Sequence, residues 1–336
     1  MDKNVLVSVL MPVFNCEKFL SESIMSILSQ TFTNFEFLIL DDGSTDKSLA
    51  IIEKFREQDK RIKVFKNEKN MGVVESRNRL INLSTGKYIV WIDSDDIALP
   101  KRISEQVKFL NKNPDVGLVG ANLIRIDEKG NKKCVWKYET NSNKLKVELF
   151  FHSPFSTVVM IRRSALPEKL YDEMFSVAED YDFYCRIAEN CRIANIPIPL
   201  LKCRDNSKSL SNLKKSEMKI LTVEVIKKHS ERLGIILNKK TIKILRLILE
   251  SKKIDLVDIE KTEKALILFR NSLFDSQLFD ADAVKMVVQH YWFESCRKSS
   301  YNGMVILKIF FKSELYYKLL TLKNNMRLFM RCVFKV

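Results

Sequence analysis

Tyr88-Ile89-Val90-Trp91-Ile92-Asp93-Ser94-Asp95-Asp96 passes abruptly from apolar side chains to crowded carboxylates. The apolar half reads as a strand buried on both faces, because β-branched and aromatic residues follow one another without alternation. The carboxylates at its end repel one another, so the cluster is costly unless a cation lies among them. Hard divalent ions, Mg²⁺ or Mn²⁺, prefer oxygen ligands and bind one or two carboxylates together with substrate phosphates. Open α/β sheets also gather their ligands at the carboxyl ends of strands. Taken alone, the same residues suit a solvated acidic turn before a helix near Pro100, so the neighbouring segments must decide.

Those segments alternate. Val5–Val13 reads as a strand, and Phe19, Leu20, Ile24, Ile27 and Leu28 then recur at helical spacing. Phe35–Leu40 is a second strand; Gly43 permits a tight turn after it, and Ser44 or Thr45 can cap the following helix. Ile62–Phe65 is a short strand, followed by a turn at Asn70-Met71-Gly72 and a helix over Val73–Leu83. The pattern predicts an α/β fold with a mostly parallel, doubly wound sheet. From Val116 it becomes mixed: Val116–Ile126 and Cys134–Tyr138 flank the turn Glu128-Lys129-Gly130-Asn131 as a hairpin. Thr157–Ile161 and Ile193–Cys203 read as further strands, with a helix around Tyr181–Ala188. Beyond about Ser211 the strand signals fade into Lys-, Leu- and Ile-rich helical patterns, which predicts domains over 1–212 and 213–336. No internal repeat is visible.

A chain of 336 residues with 46% hydrophobic content can bury a sizeable core. Its formal charge of +15 points to an anionic partner: nucleic acid, an anionic membrane surface or a phosphate-bearing substrate. Seven scattered cysteines without a Cys-x-x-Cys pair argue against a disulfide framework or zinc site and for reduced thiols in a cytoplasm. Met1-Asp2-Lys3-Asn4 lacks the start of a signal peptide, and no apolar run is long enough to span a membrane.

Four further constellations accompany the acidic triplet. Ser8-Val9-Leu10-Met11-Pro12-Val13-Phe14-Asn15 ends a strand in proline and an aromatic, a platform on which a base can stack, or an ordinary strand end. Asp41-Asp42-Gly43-Ser44 sets a carboxylate at another strand end, able to accept from a base or ribose or to serve helix capping. Asn70-Met71-Gly72 with Arg77-Asn78 supplies a guanidinium suited to a diphosphate. Glu179-Asp180-Tyr181-Asp182 opens a helix, where the dipole favours acids in any case.

In this order and spacing the segments resemble the family-2 inverting glycosyltransferases of GT-A fold. The opening is especially similar: Val9-Leu10-Met11-Pro12-Val13-Phe14-Asn15, then Ser26-Ile27-Leu28-Ser29-Gln30-Thr31-Phe32, then Leu40-Asp41-Asp42-Gly43-Ser44-Thr45-Asp46. The resemblance covers the first two-thirds of the chain and implies roles. Pro12, Phe14 and Asp42 would hold the nucleotide base, with Glu17 nearby on the following helix. Arg77 would serve the diphosphate or shape the pocket floor, Asp93 would approach the ribose or donor sugar, and Asp95 or Asp96 a divalent ion, Mn²⁺ or Mg²⁺. Asp180 would deprotonate the acceptor hydroxyl, supported by Glu179. The implied partners are a nucleotide-sugar donor, such as a UDP-sugar, and a glycan or lipid-linked acceptor in surface-polysaccharide synthesis.

The sequence departs from the family pattern at Cys203-Arg204-Asp205-Asn206, where Asn206 stands in the place of a histidine. Asn cannot carry a proton charge, which leaves Arg204 and the serines of 207–211 to close over the diphosphate. Of the histidines 152, 229 and 290, His152 falls where relatives line the acceptor cleft, and reads as a structural loop residue ahead of a substrate contact, not as a catalytic one. Lys323, Arg327, Arg331 and Lys335 recur at four-residue spacing beside Leu322, Met326, Phe329, Met330 and Val333. Such a basic amphipathic helix either lies on an anionic bilayer or packs on the protein with a solvated basic face. The corresponding location is cytoplasmic, peripheral on the inner face of the membrane.

Two competing classes lack their signatures. A nucleic-acid-binding protein would account for the charge, but there is no zinc spacing or aromatic RNA-binding motif, so no nucleic-acid partner is expected. A nicotinamide-dependent dehydrogenase would show Gly-x-Gly-x-x-Gly after its first strand, where Val13-Phe14-Asn15-Cys16 stands instead. A non-catalytic polysaccharide-binding or assembly protein on the same fold would need neither a metal nor a base.

Overall fold

The computed structural model describes residues 5–206, 213–317 and 322–335. The loop 207–211, expected over the diphosphate, lies outside them, as do Lys318 and the side chains of Leu322 and Lys323. The chain forms two compact units, Met1–Ser142 with Ser153–Leu221, and Asn143–His152 with Thr222–Val336.

In the first unit the nine strands among the described residues form one sheet. Its parallel half joins β1 (Val7–Val13) to β2 (Phe35–Asp41) and β4 (Tyr88–Trp91), with β3 (Ile62–Lys66) on the far side of β2. β2 and β4 are buried along their whole length, as their largely apolar runs require. The right-handed crossovers expected of such strands are helices: α1 (Leu20–Leu28), α2 (Ser48–Gln58) and α3 (Val73–Leu83). All three lie where the sequence predicts a helix.

Beyond β4 the sheet changes direction. β8 (Met160–Arg162) pairs antiparallel with both β4 and β6 (Val116–Ile126), and β6 runs parallel to β9 (Arg192–Arg204). The expected hairpin forms between β6 and β7, with β7 at Lys132–Trp136 rather than Cys134–Tyr138. The two-residue strand β5 (Ile97–Ala98), on the far side of β9, carries no sequence pattern at all. Pro197 and Pro199 lack an N–H to donate, and the β6–β9 register is irregular opposite them.

The strand expected at Thr157 begins only at Met160. The helix α4 (Arg102–Lys112) is responsible: Arg102 donates to the Thr157 carbonyl at 3.2 Å and Gln106 to that of Val158 at 2.9 Å. Side chains satisfy these backbone acceptors where a neighbouring strand would otherwise do so.

At the amino ends of the strands, buried Glu36 on β2 binds several elements together. One oxygen accepts from the Ser8 hydroxyl at 2.6 Å and from the Thr85 N–H at 2.7 Å; the other accepts from Lys63 at 2.7 Å. Burial pushes its pKa up, but Lys63, Ser8 and Thr85 outweigh it and hold the carboxylate down at about 2. Its stabilisation is therefore complete above the ordinary carboxylate value and is lost as pH falls through about 2. We expect Glu36→Gln to destabilise the protein by about 2 kcal/mol near neutrality. In urea unfolding the gap from the parent should narrow between about pH 5 and about pH 3; a constant gap would mean that charge is irrelevant here.

In the second unit, α5 (Ser142–Glu148) leads to Phe150 and Phe151, which lie among the long helices. Phe150 meets His229 of α7 (Lys215–Arg232) with ring centroids 4.9 Å apart. Phe151 stacks on Tyr291 of α10 (Ala281–Lys298) at 3.7 Å and meets Phe269 of α9 (Leu256–Ser276) edge-on. These contacts explain why Asn143–His152, and with it His152, belongs to this unit. The helices α8 (Lys239–Glu250), α11 (Met304–Lys312) and α12 (Leu322–Phe334) complete it. No described helix is long and apolar enough to cross a membrane.

Candidate active site

The carboxyl ends of β1 and β2 carry two loops held together by reciprocal hydrogen bonds. The Asn15 N–H donates to the Ser44 hydroxyl at 3.0 Å, and the Thr45 N–H to the Asn15 side chain at 2.8 Å. The Glu17 N–H donates to Asp46 at 3.0 Å, while Glu17 accepts from the Lys47 N–H at 2.9 Å. Glu17 thus lies in the turn before α1, not on that helix. The side chain that serves the start of α2 is Asp46, accepting from the Ser48 N–H at 2.9 Å, in place of Ser44 or Thr45. Asn15 adopts φ +47°, a left-handed conformation that Asn tolerates better than most residues.

Pro12 is half-buried on this rim, and Phe14 is 46% exposed, an aromatic face open to a ligand. Asp42 is buried and accepts from the Asn67 side chain at 2.6 Å and from the N–H groups of Met71 and Gly72, each at 2.9 Å. It fixes the turn that starts α3. Gly43, at φ +71°, packs so closely on the Lys69–Asn70 backbone that a Cβ would lie within 2.7 Å of it.

Arg77, one turn into α3, is buried and draws the acids together. It donates to Asp180 and lies 3.7 Å from Asp93 and 3.8 Å from Glu179. Its guanidinium sits over the rings of Trp91 and Tyr171, at 5.1 and 5.4 Å. Tyr171 is fixed in turn by two hydrogen bonds between its backbone and the Asn78 side chain. Asp93 thus comes from the end of β4, and Glu179 and Asp180 from the start of α6 (Glu179–Asn190). Burial raises Glu179 to about 7, helped by the charge of Asp180 and opposed by Arg77. Burial also raises Asp93 to about 6, Arg77 opposing and Asp95 and Asp180 reinforcing. Burial lowers the proton affinity of Arg77, but the surrounding acids more than reverse this and hold it charged.

The remaining acids of the triplet differ in exposure. Asp96 is buried, one oxygen accepting from the Arg204 N–H at 2.9 Å and the other from the Thr157 hydroxyl at 3.2 Å. Burial, followed by Asp93 and Asp95, raises its pKa well above the usual range. Asp95 is half-buried and accepts from the Asn206 amide at 3.2 Å. Arg204 is buried and donates to the carbonyls of Asp95 and Glu128, each at 3.0 Å, and to Glu22 at 2.7 Å. In this state its guanidinium is committed to the protein and braces the Asp95 loop. Among the described residues, no three His, Cys, Asp or Glu side chains form a metal-holding group. The carboxylates of this loop instead suit an ion that draws its other oxygens from a diphosphate and water.

The arrangement has known relatives. The family model for Glycosyl transferase family 2 matches residues 8–169. An uncharacterized glycosyltransferase of Methanocaldococcus jannaschii is 40% identical over 225 residues, 65% of this chain and 77% of that protein. One of Haemophilus influenzae is 31% identical over 280 residues, 79% of this chain and 84% of that protein. The chain belongs to glycosyl transferase family 2. Its fold is the GT-A fold, with helices following the sheet domain: the solved S. aureus TarS 1–349 in complex with UDP superposes with a TM-score of 0.57 at 18% identity. That match covers 97% of this chain and 90% of the other.

Sequence reasoning about this glycosyltransferase missed Arg102, Trp91 and Tyr171 as parts of the site's support. Arg102 is fully buried and donates to the Trp91 carbonyl at 2.6 Å. Asp96 and Asp93 are near enough that their charge favours its ionised form, although burial holds its pKa down at about 10. The only sequence signal was an arginine at a core-facing helical position. We expect Arg77→Met, which keeps length but removes charge, to destabilise the fold by about 3–5 kcal/mol, since buried acids lose their counter-ion. Lysine should restore only part of this, being unable to spread planar donors over several carboxylates. Denaturant unfolding of both variants checks this; parent-like stability of the Met variant would show that the acids do not depend on Arg77.

Proposed function

We propose that this glycosyltransferase moves a hexosyl or N-acetylhexosaminyl group, with inversion, from a nucleotide-sugar donor to a hydroxyl of a glycan or lipid-linked acceptor in surface-polysaccharide synthesis. One observation carries the reading: Asp180 is ion-paired to buried Arg77 beside Asp93, on the sheet edge that also bears Phe14. UDP-sugars are the donors to try first, because TarS, of the same fold, was crystallised with UDP and with UDP-GlcNAc.

On this reading Pro12 and Phe14 stack the base, and Asp42 and Glu17 hold the loops that shape its pocket. Asp93 receives the ribose or the donor sugar. Asp180 takes the proton of the acceptor hydroxyl as its oxygen attacks the anomeric carbon. The bond to the diphosphate breaks on the opposite face, and the configuration inverts. Arg77 orients Asp180 through their ion pair, and Glu179 buttresses the pair. A divalent ion, Mn²⁺ or Mg²⁺, would supply electrostatic stabilisation of the diphosphate leaving group, with Asp95 as its carboxylate. Asp96, with both oxygens already bonded, supports that loop, and Arg204 and Asn206 brace it.

Asp180→Asn preserves size and removes basicity, so turnover should fall by roughly 10²–10⁴-fold in a transfer assay. Turnover close to the parent's would move the base elsewhere, to Glu179 or Asp182. Asp95→Ala should weaken binding of the donor, as should a chelator applied to the parent, with thermal unfolding unchanged by the substitution. If calorimetry finds donor affinity the same with and without chelator, the ion plays no part in binding. A panel of nucleotide sugars tested for turnover identifies the donor.

A further inference from the structure

The helix α12 turns the wrong face outward. Leu328 and Cys332 pack into the second unit and are almost completely buried. At 3.6 residues per turn, Met326, Phe329, Met330, Val333 and Phe334 share the opposite side, in a stripe about 140° wide. A stripe of that width ordinarily faces a core. Here it is exposed, Phe329 by 48% and Phe334 by 64%. Arg327 and Arg331 border it, and no acid occurs anywhere on α12. The neighbouring helix α11, also without an acid, exposes Met304, Val305 and Phe311 together with Lys308 and Lys312.

We propose that this face docks on an anionic lipid bilayer, with α12 lying in the interface. Its aromatic and methionine side chains enter the acyl boundary while its arginines meet the headgroup phosphates. Charge selects this occupant. On a helix without acids, an apolar stripe bordered on one side by arginines complements a negative surface, whereas pairing with a second copy would bring like charges together about a two-fold axis. The inference is independent of the proposed reaction, because every group assigned to catalysis lies in the first unit.

Flotation of the full chain with vesicles tests it, using phosphatidylglycerol mixed with phosphatidylcholine against phosphatidylcholine alone, at low and high salt. The parent should float with the anionic vesicles at low salt and be released as salt rises. Phe329→Ser with Phe334→Ser, and separately Arg327→Glu at the exposed border, should each reduce the bound fraction at least about tenfold. Both variants should keep the parent's melting temperature and donor turnover in solution, which distinguishes loss of docking from misfolding. The proposal is overturned if the parent stays unbound with anionic vesicles at low salt, or binds both vesicle types equally. It is overturned too if light scattering shows a dimer that the serine substitutions dissociate, since the face then belongs to a second copy.

Discussion

A buried arginine among carboxylates is the constraint on which the catalytic unit depends. Arg77 is out of water, so its charge must be matched within the protein, and Asp180, Asp93 and Glu179 do so from two different elements. The acids in turn could not be packed so closely without it. The ion pairs therefore tie the end of β4 to the start of α6.

The two ends of the parallel strands are stabilised by different means. At the amino end Glu36 gathers hydroxyl, N–H and ammonium donors from separate segments, a fully satisfied buried charge. At the carboxyl end the loops after β1 and β2 lace into one another through Asn15, Glu17, Ser44 and Asp46, and Asp42 fixes the approach to α3. Rigid loops on a rigid sheet are what a ligand-binding edge requires, since the ordering has already been done by folding.

The acidic triplet divides its labour according to burial. Arginines lie among the crowded carboxylates: Arg77 beside Asp93, Arg204 on the Asp95 carbonyl, and Arg102 on the Trp91 carbonyl. Asp96 is buried and spends both oxygens on the protein, whereas Asp93 and Asp95 are half-buried. Asn206 reaches Asp95 as a neutral donor, which supports the carboxylate without adding a titrating charge.

The sequence by itself determined the strands and helices whose apolar periodicity is local, down to the bounds of α3 and β6, and the family through its ordered motifs. It also named the acids that meet at Arg77, because strand ends and helix starts are local features. Only the tertiary structure decided what each of those residues touches. Arg77 turns to acids rather than outward, Arg204 is spent on carbonyls, and Thr157 gives its carbonyl to Arg102 in place of a strand. Asn143–His152 joins the helical unit for the same kind of reason, its phenylalanines meeting rings more than seventy residues away. Partners of this sort are fixed by packing between distant segments, and a local pattern holds no record of them.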